Sequence, residues 1–490
     1  MGIDVGTTQT KVGVFHLDGR LAAMASAHYP LQFDAATNAA EQNPAEWWAA
    51  AARAIRQTLE QIDPARLLAV SVGGQGPTVV ALDEALDPIA PALTWMDSRA
   101  VLEARQLGQR AGQPLPPHAF IAKVVWIKKA RPEVYAAARW FCQAWDFVAA
   151  RLIGELVAST SPGIAPWSKT WISAAELDDA EFPLLQPMGA QVGCVTAPAA
   201  RDTGLPAGLP VVGGISDYFE GLIGSGALRP GTGCDNGGTS QSFNLCWNAP
   251  LAVEGVFCIP SFDEGLWYIG GPASTTGKAL DWWREAVLGR GLDDWTILEE
   301  AETVPPGSDR LIFLPYLAGE RAPIWDPLAR GAFFGLSLRH GRAHLTRAIL
   351  EAVAYTLCHL IEQIEAAGGE VREIRACGGQ AYSDLWCSIK ADATGRRVVV
   401  PEVTDAPALG AAIIAGVGVH AFEDFATGTE RMVRVRQVFE PDAGRHAHYQ
   451  ALYGIYRDLY RPLRPIYERL SKVGGDGRQA GPFAEVGEDA

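Results

Sequence analysis

The sequence predicts an α/β protein of two similar halves whose ligand loops face each other across a cleft. Three observations predict it. Apolar runs of strand length alternate with amphipathic helical stretches, and the polar, glycine-rich segments gather at strand ends, where α/β sheets hold ligands. The stretch Ile3-Asp4-Val5-Gly6-Thr7-Thr8-Gln9-Thr10-Lys11 shares its layout with Cys234 to Ser242: Asp or Asn two residues before Gly, then hydroxyls, Gln and another hydroxyl. Asp4 and Asn236 stand 232 residues apart, nearly half the chain, as a duplicated unit would place them. Finally, 490 residues with 48% hydrophobic content and 15 Trp suffice for two or three domains with full cores.

In chain order, 11–15 and 21–27 read as hairpin strands around Asp18-Gly19. Asn43 then caps a helix with Pro44 at its first position, and Trp48, Ala51, Ile55, Leu59 and Ile62 form its apolar stripe. A buried strand over 67–72 ends at Gly73-Gly74-Gln75-Gly76-Pro77, 79–82 follows, and a loop carries Trp95-Met96-Asp97-Ser98-Arg99. Residues 120–154 read as mostly helical; Trp145 and Trp171 have aromatic faces suited to a sugar, although core packing is the commoner fate of a Trp. The second half repeats the plan. It has strands at 242–245, 253–259 and 266–269, a helix over 276–287, and a long amphipathic helix over 343–366. A strand at 373–377, a helix to Ala393, a strand at 397–400 and a helix from Pro407 come next. Residues 441–470 read as a helix pair with a tyrosine-rich face, and the Gly- and acid-rich end as a disordered tail.

The chemistry concentrates between Val211 and Ser242. Asp217 stands just past the Gly213-Gly214 turn and before a helical run, and Asp235-Asn236-Gly237-Gly238-Thr239-Ser240 follows as a glycine-rich turn with hydroxyls. Glycines let backbone N–H groups approach an anion, and hydroxyls add donors. An acid ahead of such a turn suits proton abstraction beside a bound phosphate. Gly271 to Lys278 imitates a P-loop, but Pro272 and Ala279 occupy positions that need a glycine and a metal-binding hydroxyl.

The net charge of −15 argues against a nucleic-acid or anionic-membrane partner. Eight cysteines without CxxC or zinc spacing read as reduced thiols of a cytoplasmic protein. No signal peptide and no membrane span is evident, and residues 406–419 read as a buried helix.

Taken together, these motifs resemble the FGGY family of carbohydrate kinases, within the actin, hexokinase and heat-shock chaperone superfamily. The resemblance spans about residues 1–470 and rests on short motifs in a fixed order. They are Asp4 to Thr8 with Lys11, Asn43-Pro44 before Trp47-Trp48, Trp95 to Arg99, Gly214 to Asp217 with Gly224, and Gly238-Thr239-Ser240. Gly319 to Pro323, Gly378-Gly379 with Ser383 and Trp386, and Ala408 to Ala412 complete them. It implies two ribonuclease H-like (actin-type ATPase) domains with a ligand cleft between them. The N-terminal domain would cover 1–229, the nucleotide-binding domain 230–440, helices at 441–472 would pack back on the N-terminal domain, and a tail would follow from 473. The resemblance makes Asp217 the general base and Asp4 the Mg²⁺ residue, directly or through water. Thr7, Thr8, Lys11, Gly238, Thr239, Gly277, Gly379 and Ser383 would serve ATP, and Gln75, Gly76, Pro77, Trp95, Asp97 and Tyr218 the substrate.

This chain departs from the family pattern in three places. Only three residues precede Asp4, so the expectation is either a short first strand or a start downstream of the true one. Gly76-Pro77 stands where members carry a polar sugar-binding pair, so a roomier, less demanding pocket is expected there. Tyr218 replaces a common Asn. A ketopentose such as xylulose is the expected substrate, with polyols (a tetritol or pentitol) and gluconate as alternatives and a homodimer allowed for. A regulatory ATPase without a sugar substrate is the competing class, which the Gln75 and Trp95 loops disfavour.

Overall fold

A computed structural model describes the chain except for residues 35, 117, 162–164, 239, 290 and 474–490. The expected tail from 473 therefore lies almost wholly outside the described residues. The chain forms two compact units: Met1–Gly224 with Asp405–Arg434, and Ser225–Thr404 with the segment from Val435 onward.

The first unit is built on a six-stranded sheet in the order Gln191–Cys194, Pro210–Ser216, Val70–Gly74, Gly2–Val5, Gln9–Phe15, Leu21–His28. Gly2–Val5, Gln9–Phe15 and Leu21–His28 are antiparallel, whereas Val70–Gly74 and Pro210–Ser216 continue parallel to Gly2–Val5. The second unit repeats this arrangement. Thr232–Gly237 pairs antiparallel with Gln241–Trp247, which pairs with Trp267–Ala273, and on its other side Glu373–Cys377 and Arg397–Pro401 run parallel. Three antiparallel strands followed by two parallel ones is the ribonuclease H-like order, and each unit contains it once. The first strand of both units ends in the paired motif: Asp4 and Asn236 each sit one residue before the strand's last position.

The central strands of the first unit are almost wholly apolar or glycine and buried, as parallel strands covered on both faces must be. The Pro44–Leu59 helix starts where expected, with the Asn43 side chain accepting the Ala45 N–H at 3.1 Å. Its fully buried stripe keeps Ala51 and Ile55 but shifts by one residue at its ends, to Trp47 and Thr58, because Trp47 is the tryptophan drawn into the core while Trp48, Leu59 and Ile62 are partly buried against it.

Two assignments need correction. The helix pair at 441–470 is one helix, Ala443–Leu470, carrying Pro462 and Pro465 inside it. This helix does not return to the first unit. Tyr449, Leu452, Tyr453, Tyr456 and Tyr467 pack with Ile349, Val353 and Tyr355 of the Arg342–Ala366 helix in the second unit's core. The segment that does return is Asp405–Arg434, whose Ala406–Gly418 helix is small-sided enough to lie close on Gly2–Val5. Apolar periodicity identifies a helix that needs a partner, but it does not say which core supplies one. Among the described residues no helix is long and apolar enough to cross a membrane.

The offset stripe predicts a contrast. Trp47→Ala should destabilise the protein by about 3–5 kcal/mol, the cost of truncating a fully buried aromatic, and Trp48→Ala by well under half of that. Denaturant unfolding of both variants measures it, and equal losses would contradict the assignment.

Candidate active site

In the first unit the turn after Gly2–Val5 is framed from behind. The Gly6 N–H donates to Gln9 O at 3.1 Å, and the Tyr29 hydroxyl and Gln75 Nε2 both donate to Gly6 O, at 2.5 and 3.2 Å. Gln42, buried below, donates to Thr7 O at 2.7 Å and accepts from Gln75 Nε2 at 2.7 Å. With these carbonyls engaged, the turn presents the Thr7 and Thr8 side chains. Thr8 is exposed, and Thr7 Oγ1 accepts the Trp95 indole N–H at 2.9 Å, which leaves the Thr7 hydroxyl proton for a further acceptor.

Asp4 stands opposite Lys11 on one neighbouring strand and Gly73 on the other. It is 5% exposed, and its Oδ1 has no hydrogen-bond partner. Burial, reinforced by Asp217 and Asp405, pushes its carboxyl well above the usual range, with Lys11 offsetting part of this. Lys11 bonds Asp405 at 2.9 Å, so the returning segment supplies that partner. Asp217 opens the Asp217–Ser225 helix, half-buried, and burial raises its carboxyl to about 7 against the pull of the Tyr218 N–H and Lys11. One turn further, Glu220 is fully buried and occupies the side-chain space above Gly73, where a Cβ would lie 2.0 Å from its carboxyl carbon. Neither Glu220 oxygen has a hydrogen bond of good geometry; burial, then Asp4 and Asp217, hold it well above its ordinary value, and the nearby Ile215 N–H offsets this only partly.

The substrate candidates divide. Trp95 keeps an accessible ring. Gln75 is fully buried with its amide donors spent on the frame, leaving a lone unpartnered Oε1. Asp97 is 1% exposed and committed internally, to the Ala40 N–H at 3.0 Å and to Arg99 at 2.6 Å; Arg99 also bonds Glu41 and lies over the Trp126 ring. Asp97 therefore shapes its own loop. At Gly76 a Cβ would lie 2.8 Å from Trp145, whose ring takes the space, and the buried Trp145 indole N–H has no partner. The Pro77 and Thr94 carbonyls accept from buried Lys123, at 3.0 and 2.6 Å, which ties the two substrate loops together. Tyr218 stands edge-on to Phe219.

In the second unit the Gly238 N–H donates to Ser240 O at 2.8 Å, and Gly238 O accepts the Gly277 N–H at 3.1 Å. Both glycines thus take part in the frame of the turn. Thr239 lies outside the described residues. Gly379 has open space where a side chain would project. The Ser383 hydroxyl accepts the Trp386 N–H at 3.2 Å as the cap of the Asp384–Thr394 helix, so its oxygen already has a structural task.

Residues 1–224 match the N-terminal domain, and residues 236–419 the C-terminal domain, of the FGGY family of carbohydrate kinases. The chain belongs to this family. It is 30% identical to a gluconokinase of Bacillus subtilis (strain 168), over 96% of this chain and 97% of the relative. It is 27% identical to a xylulose kinase of the same organism, over 96% and 98%. The structure of a ligand-bound xylulose kinase from Lactobacillus acidophilus superposes with a TM-score of 0.84 at 26% identity, over 96% of this chain and 99% of that one. This FGGY kinase is thus an α/β enzyme that phosphorylates a sugar-like substrate, with ATP as the family's phosphoryl donor.

Sequence reasoning missed Glu220, Gln42, Lys123 and Asp405. Three of them had a neighbour that was noticed: Asp217 three residues before Glu220, Asn43 after Gln42, and the Ala408 to Ala412 motif after Asp405. The signal for Glu220 was an acid on the apolar face of a short helix.

Because the folded state holds the Asp217 carboxyl up to about 7 against an ordinary 3.8, it retains a proton that the unfolded chain releases. That contribution is lost as pH rises through this window. Asp217→Asn, which cannot ionise, should melt with wild type near about pH 4 and above it at about pH 8. Thermal scans at both pH values test this, and an identical offset at both would contradict it.

Proposed function

We propose that this FGGY kinase transfers the γ-phosphoryl group of ATP to a hydroxyl of a neutral ketopentose such as xylulose, with Asp217 taking the hydroxyl proton. The observation that carries this reading is the crowd of carboxyls around Asp217. Asp4 and Glu220 act on it or on each other, and the lysine beside them, Lys11, is paired with Asp405. A carboxyl raised to about 7 is a base matched to neutral pH. The same crowd would repel an anionic substrate, whereas the Trp95 ring and the Trp145 N–H suit an uncharged one.

The orphaned oxygens of Asp4 and Glu220 fit a divalent cation. Among the described residues no three acids converge closely enough to chelate one, so Asp4 would hold Mg²⁺ through its water, as that ion favours. When bound, Mg²⁺ neutralises charge on the phosphoryl oxygens. The protein's own work is positional. Thr7 and Thr8 offer hydroxyl donors from a turn fixed by Gln42, Gln75 and Tyr29. Eight free cysteines support a cytosolic setting.

A second reading, an aldonate kinase, is favoured by the 30% identity to a gluconokinase. A coupled ADP-release screen over ketoses, polyols and aldonates separates the two, and sugar-independent turnover would favour a regulatory ATPase instead. Asp217→Asn should cut kcat by about 10²–10⁴-fold while calorimetry still detects ATP and sugar binding. Near wild-type turnover would remove Asp217 from the mechanism.

A further inference from the structure

The second unit contains a buried polar network centred on Lys390 and Asp235, none of whose side chains belongs to the residues expected to touch a ligand. Lys390, on the Asp384–Thr394 helix, is 1% exposed. Its Nζ donates to Asp235 Oδ2 at 2.6 Å and to Gln380 Oε1 at 2.8 Å. Asp235, fully buried on Thr232–Gly237, also accepts from the Gln241 side chain through its other oxygen. Gln380 extends the connection: its Nε2 donates to Gly238 O at 3.3 Å and to Thr276 Oγ1 at 3.2 Å. Its side chain lies flat on Gly237, where a Cβ would come within 2.5 Å of the Gln380 amide carbon.

One ammonium therefore grips both ends of the 237–241 turn, since Gly237 and Gln241 are the hairpin partners that close it. Through Gln380 it also reaches the Thr276-Gly277 turn, whose Gly277 N–H donates to Gly238 O. These stretches, with Gly379 beside Gln380, carry every nucleotide candidate of this unit except Ser383.

Burying a lysine and an aspartate is expensive, and an apolar trio of similar volume would stabilise the core at least as well. What the ionic network adds is direction, because each hydrogen bond fixes an angle as well as a distance. Turns that receive phosphate profit from such fixation, since catalysis of this kind rests on preorganised positions.

We propose that Lys390 is a positioning residue for the nucleotide turn, acting through Gln380 on Gly238 and Thr276 and through Asp235 on Gln241. This rests on the reading that the turn receives the ATP phosphates. Isothermal calorimetry with ADP and with ATP analogues, and steady-state KM for ATP and for sugar, test it on the full chain. Lys390→Met leaves Asp235 buried without its cation and risks misfolding. Gln380→Leu spares the ion pair and cuts only the relay, so it is the decisive variant. Its nucleotide Kd and KM for ATP should rise about tenfold or more, with the KM for sugar unchanged. Lys390→Met, where it folds, should show the same split.

Nucleotide affinity at the wild-type level in Gln380→Leu, with Thr239→Val impaired, would overturn the proposal and leave the network a packing device. Wild-type affinity in Thr239→Val as well would overturn the reading of the turn itself. Parallel losses for nucleotide and sugar would show general loosening and would also count against it.

Discussion

Four carboxyls and one lysine share the carboxyl ends of the first unit's central strands, and this charge imbalance is the constraint on which the rest depends. Asp4, Asp217 and Glu220 are largely withdrawn from water, and their mutual repulsion cannot be relieved by Lys11 alone, which already holds Asp405. Such a site is costly without a ligand, and that cost is the usual mark of function. The fold makes it possible by using glycine where a side chain would compete. Gly73 has none, and the Glu220 carboxyl takes the space beside Asp4.

Around that centre most polar groups serve as frame. Gln42, Gln75 and Tyr29 hold the first turn by its carbonyls, Lys123 joins the Pro77 and Thr94 loops, and Asp97 ties its own loop through Arg99. The second unit uses the same fold differently. At the place of Asp4 it has Asn236, and beside it a buried ion pair, Asp235 with Lys390, replaces the excess of acids. One half concentrates buried carboxyls with a single lysine, and the other pairs its buried acid with a lysine.

Much of this was legible in the residues. The duplicated turn, the Asn43 cap, the 373–377 strand and the acid at Asp217 are local signals, written in hydrogen-bonding capacity, φ/ψ preference and periodicity over a few positions. Gly238 and Ser383 show the limit. A glycine in a turn reads as an open donor and a serine before a helix as either ligand or cap. Only the partner, Ser240 O or the Trp386 N–H, distinguishes these uses.

By itself, then, the sequence determined two ribonuclease H-like halves and the kinase family, because these rest on short-range patterns that survive in one dimension. Tertiary structure alone decided that the final helix stays with the second core and that 405–434 returns to the first. It also decided that Trp145 fills the space above Gly76 and that Glu220 stands beside Asp4. The physical reason is common to all four. Each depends on which apolar face or vacant side-chain space meets another across tens to hundreds of residues, and burial energy is indifferent to sequence distance.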